Sequence, residues 1–312
     1  MSRKKTKRYP LALVICLLGV ACAAWADGKR VIPRSEQVNE GYVSSQLLLK
    51  PCLDIHTLSD APDEATLKSV AEARKALPAA ACDDALLREQ LFKARFLQYA
   101  TIGMVNDPWN LDAKMAAQNQ AIGQCKDLKC LARELDATIA ALSPVYLGTD
   151  RTWPRSKGLC DADSVDTPAL TALASLDSDS RKGIKNDCGE EAVTAQTCQG
   201  PHGKLLFVSC AMEGNQVNAP QWLYRSGNTK PEPLLAVTDG PLGVMESSCN
   251  GMPDLLTGAR ISMGEHEDSF YRYDGRQYQL VYAYTSTFVG TDDNGNDLAI
   301  AQGQPSTKVV CR

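Results

Sequence analysis

Cysteine usage behind a leader-like N-terminus constrains this chain most. Residues 1 to 26 run from the basic patch Arg3-Lys4-Lys5 through an apolar stretch, Leu11 to Ala24, to small residues at Ala24 and Ala26, the layout of a signal peptide. That stretch is too short to span a bilayer comfortably, so the mature chain is expected to begin near Asp27, in the periplasm or outside the cell. Lipid anchoring at Cys22 is disfavoured, because Gly19 stands where a lipoprotein signal carries a larger aliphatic residue. No later stretch has the length of a transmembrane helix.

Of the 12 cysteines, Cys16 and Cys22 leave with the leader. Cys52, Cys82, Cys125, Cys130, Cys160, Cys188, Cys198, Cys210, Cys249 and Cys311 remain, an even set that reads as structural disulfides in an oxidising compartment. No Cys-x-x-Cys redox pair occurs, and histidines to complete zinc sites are few. The leader holds five Lys or Arg and no acid, which leaves 28 basic against 37 acidic residues and a formal charge of −9. Such a balance argues against a nucleic-acid partner and suits attraction of a cationic one.

Texture changes along the chain, and the fold class expected is α+β: a disulfide-stapled helical bundle at 27–142, a disulfide-tied connection at 143–203, and a mainly antiparallel β domain at 204–312. Pro62-Asp63-Glu64 opens a helix that ends before Pro78, and Asp83 or Asp84 caps a longer one with Leu87, Leu91, Ala94 and Leu97 on one side. Asn106-Asp107-Pro108 is a turn, followed by helices over roughly 111–124 and 128–142.

The second helical hairpin carries Cys125-Lys126-Asp127-Leu128-Lys129-Cys130-Leu131, then Leu135, Ile139 and Leu142. This pattern resembles the second half of the small cysteine-containing helical domain of the LprI-like family of lysozyme inhibitors, over residues 82 to 142. Leu135 and Thr138 stand where that family has Tyr and Arg, and Gln118 and Ile122 where it has Trp and Arg. What is retained is what packing needs, so the resemblance implies first a helical fold and then a lysozyme as partner. Read from the residues alone, Cys125 and Cys130 either bridge their own turn or staple their helices to Cys52 or Cys82.

Strands are expected at 204–210, 221–224, 233–237, 255–261, 269–273 and 278–287, as one meander, with Cys311 tying the tail back. Asn250-Gly251-Met252-Pro253-Asp254-Leu255-Leu256 is similar to the calcium loop of integrin-like blade repeats, but Glu246, Ser248 and Asn250 supply one carboxylate and the phrase reads as turn chemistry. Asp292, Asn294 and Asn296 match the first three ligand positions of a calcium loop, whereas Asp297 and Gly303 occupy the positions that need Gly and Glu. A solvated Asn-Gly turn is the reading preferred there, and no cofactor is expected.

Catalytic motifs are missing around His56, His202 and His266. Glu265-His266-Glu267-Asp268 has residue types suited to acid and base work, but a strand would split them between faces, and a solvated loop is the simpler expectation. The function expected is a periplasmic protein-binding protein, in particular an inhibitor that occludes the cleft of a cationic lysozyme. The turn at Asn106, Asp107 and Trp109 is its candidate contact, provided Trp109 is exposed. The alternatives are an envelope assembly module, which an exposed apolar patch on the β domain would favour, and a hydrolase with paired carboxylates.

Overall fold

Hydrogen bonding and apolar patterning organise the chain into four layers. The computed structural model describes residues 30–38, 52, 64–148, 157–158, 165–188, 193–210, 218–227, 230–237, 240 and 242–312. The expected leader at 1–26, with Cys22, and Cys160 lie outside the described residues.

The first layer is helical: α1 (Glu64–Lys75), α2 (Ala85–Ile102), α3 (Pro108–Gln124) and α4 (Leu128–Leu147). The starts of α2, α3 and α4 have local causes. Asp84 caps α2 by accepting from the Leu86 and Leu87 amides, Pro108 occupies the first turn of α3, and Asp127 caps α4 at the Cys130 amide. Gly148, in the left-handed region at φ 92°, ends α4. Helix α2 is buried on two sides. Leu87, Leu91 and Ala94 pack against Ile122, Leu131 and Leu135, while Phe92, Phe96 and Ala100 pack with Val289, Leu298 and Ile300 of a sheet.

That sheet is antiparallel with order β1-β7-β8-β9-β10-β11, formed by β1 (Lys157–Gly158), β7 (Leu242–Cys249), β8 (Met252–Arg260), β9 (Glu265–Tyr273), β10 (Tyr278–Thr291) and β11 (Asp297–Pro305). A second antiparallel sheet, order β2-β3-β4-β5-β6, holds β2 (Val165–Asp166), β3 (Val193–Gly200), β4 (Gly203–Cys210), β5 (Gln221–Ser226) and β6 (Glu232–Val237). Leu205, Leu223, Leu234 and Val237 of this sheet meet Leu242, Leu255, Tyr271 and Tyr278 of the other in a shared core. Its outer face, with Leu206, Val208, Trp222 and Tyr224, is covered by α5 (Ala169–Ser175) and α6 (Ser178–Cys188) through Ala172, Leu173 and Ile184.

The fold is therefore α+β, and the described disulfides are Cys52–Cys82, Cys125–Cys130, Cys188–Cys210 and Cys249–Cys311. Cys198 is disulfide-bonded as well. The expected seams need adjusting. Helix α4 continues past 142 to Leu147, β3 lies inside the expected connection, and α2 shares a core with β10 and β11. Nor do 204–287 form one meander: the chain changes sheets between Val237 and Leu242, because the inner faces of both sheets need a partner layer.

Candidate partner-binding surface

The sequence-expected contact turn is largely occupied inside the molecule. Asp107 is exposed and accepts from the Asn110 side chain at 2.8 Å, and Asn106 is half-buried. Trp109 is half-buried: the Arg272 guanidinium lies 4.3 Å from its ring centroid, and Phe270 meets it edge-on at 5.7 Å. Arg272 also donates to Asp254, 1% exposed, at 3.2 Å. Trp109 thus joins α3 to the six-stranded sheet and is not an open anchor, which corrects the expectation built on its exposure.

Asp292, Asn294 and Asn296 lie at the β10–β11 connection. Asp292 Oδ1 accepts the Asn294 and Asn296 amides at 2.9 Å each, and its Oδ2 accepts the Asn296 side-chain amide at 2.8 Å. Burial alone would raise the Asp292 carboxyl pKa, but these donors together hold it below its ordinary 3.8. The carboxylate faces N–H groups, and Asn296 presents a donor where a cation needs an oxygen. Asn250 and Gly251, at φ 51° and 80°, form the two-residue turn between β7 and β8, and Asn250 Oδ1 accepts the Arg312 amide at 3.0 Å.

The segment Glu265 to Asp268 is strand, not loop, so alternation separates its members. His266 and Asp268 share the face that holds Phe270 and Tyr284, with His266 Nε2 3.0 Å from Asp268 Oδ1. Gly258 stands across from Asp268 on β8, and a Cβ there would crowd both side chains, at 2.9 Å from Asp268 Oδ1 and 3.0 Å from His266 Nε2. The hydrogen bond that His266 donates to Asp268 is the main cause that lifts the His266 pKa above its ordinary 6.5, and partial burial opposes it. Tyr284 is held well above 10.0 by burial, assisted by the charge of Asp268 and a hydrogen bond to it.

Beyond His266 the β8–β9 hairpin turns at 261–264 and shows two apolar side chains to solvent, Ile261 at 54% and Met263 at 95% exposure. The tip is pinned from several sides. The Ile261 and Ser262 amides donate to the Glu265 carbonyl at 3.1 and 3.3 Å, and the Phe288 amide of β10 donates to the Gly264 carbonyl at 2.9 Å. Asn218 grips the Arg260 backbone like a neighbouring strand, donating to its carbonyl at 2.8 Å and accepting its amide at 3.0 Å. Such a tip presents apolar side chains from a backbone with little conformational freedom left to lose on binding.

No family model, curated protein or solved structure matches the chain. The surface is accordingly argued from its geometry. Sequence reasoning missed the tip because Ile261 read as the end of a strand and Met263 as ordinary loop. The available signal was an apolar-x-apolar pair inside the short connection between two strands. Among the described residues, no helix is long and apolar enough to cross a membrane.

Proposed function

We propose that the chain is an exported protein-binding module of the cell envelope that grips its partner with the β8–β9 hairpin. The observation carrying this reading is the pair of solvent-facing apolar side chains, Ile261 and Met263, on a hydrogen-bonded tip. The partner class that fits is a cationic enzyme with an open cleft. The acid excess speeds its encounter, the pinned loop fills the cleft, and the resemblance of residues 82–142 to LprI-like proteins names lysozyme as the first such enzyme to test. On this reading the protein works in the periplasm or outside the cell, where disulfides persist.

The test is titration of the oxidised mature chain against c-type, g-type and i-type lysozymes, reading binding and residual muramidase activity. Stoichiometric inhibition of one class, weakened roughly tenfold or more in Met263→Asp, is the expected result. Absence of binding to all three overturns the inhibitor reading. A second reading, an envelope assembly module, is favoured by the tip belonging to the β sheet and not to the helical layer. It predicts binding without loss of lysozyme activity, or none to lysozyme at all.

A further inference from the structure

The methionines among the described residues fall into two classes. Met104, Met115, Met245 and Met252 are at most 7% exposed and pack in the apolar clusters that join the layers. Met263, on the hairpin tip, is 95% exposed. A thioether keeps sulfur lone pairs that an oxidant reaches only where solvent does, so exposure decides which methionine reacts. A sulfoxide at any of the four buried sites would place a polar S–O group in an apolar cluster, at a cost to the fold. The tip is built differently, because its backbone is held without the Met263 side chain. The Gly264 amide donates to the Ser262 hydroxyl at 3.3 Å, the Arg260 guanidinium donates to the Ser262 carbonyl at 3.1 Å, and the Ile261 and Ser262 amides donate to the Glu265 carbonyl. Chemistry at the Met263 sulfur therefore changes the surface and removes no contact that holds the hairpin.

We propose that Met263 is a reversible oxidation site for peroxides, and that its sulfoxide releases the partner held by the tip. The release step rests on the hairpin reading given under Proposed function. In the chemical step a sulfur lone pair attacks one oxygen of hydrogen peroxide, and the O–O bond breaks as the S–O bond forms. The departing hydroxide takes the proton from the transferred oxygen, leaving a sulfoxide and water. Sulfur gives up two electrons and the peroxide accepts them. The product is polar and accepts hydrogen bonds, so an apolar pocket that takes the thioether would have to strip water from the sulfoxide without replacing its partners. Ile261 stays unchanged beside it, and the grip weakens while the hairpin remains folded.

The experiment treats the disulfide-intact mature chain with dilute hydrogen peroxide, in a Met212→Leu background because Met212 lies outside the described residues. Peptide mass spectrometry follows each methionine, retention on a hydrophobic-interaction column follows the tip, and binding is read against the three lysozyme classes. The expected result is sulfoxide at Met263 roughly tenfold or more faster than at Met104, Met115, Met245 or Met252, with shorter retention and an unchanged urea midpoint. Lysozyme binding weakens roughly tenfold, and methionine sulfoxide reductases restore both retention and binding. Met263→Leu, which keeps the tip apolar, binds equally before and after peroxide. Oxidation of Met263 no faster than that of the buried methionines overturns the proposal, as does a Met263 sulfoxide that leaves retention and binding unchanged. Should the untreated chain bind no lysozyme, the inhibitor reading and the release step fall together, while the rates and the retention still decide whether Met263 is the oxidation site.

Discussion

His266 and Asp268 stand two residues apart on β9, and the pleat therefore puts them on one face at 3.0 Å. This pairing sets a measurable titration. A histidine whose folded pKa exceeds its unfolded value stabilises the fold fully below about 6.5, and that contribution is lost as pH rises through the folded value. NMR titration of the native protein should place His266 above 6.5, and Asp268→Asn should bring it back down. The variant should correspondingly lose the part of the stability slope that falls between 6.5 and the raised pKa. A His266 that titrates at or below 6.5 would show that the pair does not persist in solution. The side chain is 47% exposed, so the effect on total stability is small beside its effect on the titration itself.

At the scale of elements, bulges decide which strand positions face which layer. On β10, Leu280 pairs with Tyr271 and Tyr282 with Phe270, so Val281 is the inserted residue. Tyr278 and Leu280 accordingly enter the core between the sheets, while Tyr282 and Tyr284, of the same parity, enter the core under the helices. Tyr282 then reaches over β11, where a Cβ built on Gly303 would overlap its hydroxyl. The hydroxyl is buried and has no hydrogen-bond partner among the described residues. Gly303→Ala should therefore destabilise the protein by about 1–3 kcal/mol in urea unfolding, since overpacking displaces a side chain with no room to move. Tyr282→Phe should be near neutral alone and should rescue Gly303→Ala only in part, because it removes the nearest colliding atom and an unsatisfied buried group but leaves the ring carbon Cζ 2.5 Å from the added Cβ. Additive costs in the double variant would refute this account of the glycine.

Across the whole molecule the disulfides differ in reach. Cys125–Cys130 closes a separation of 5 residues at the α3–α4 turn, whereas Cys249–Cys311 spans 62 and fixes the C-terminal tail beside the β7–β8 turn. In the chain-entropy account, loops of these lengths restrict the unfolded chain by about 2 and about 4 kcal/mol. Replacing both cysteines of the longer bridge by Ser should thus cost about 2 kcal/mol more than the same change in the shorter one. Equal losses in thermal or urea unfolding would mean that local strain or residual unfolded structure, and not loop closure, governs the frame. The four-layer arrangement also explains why no single helix supplies the core. The cluster around Phe92 and Phe96 is completed by Val289, Leu298 and Ile300, nearly two hundred residues further along the chain.

Signals that act over a few residues were legible in the sequence: a cap at Asp83 or Asp84, the turn at Asn250 and Gly251, and the apolar side formed by Leu87, Leu91, Ala94 and Leu97, whereas the helix expected from about 111 starts three residues earlier at Pro108, which in sequence reads as part of the turn. The α+β class followed from these, as did the use of the cysteines as bridges. Tertiary structure alone decided that Trp109 packs on Arg272, that His266 meets Asp268 beside Tyr284, and that the tip with Met263 stays uncovered. The physical reason is that burial is non-directional. An alternating or amphipathic segment states that it has an inner face, but which layer covers that face depends on contacts between residues far apart in the chain.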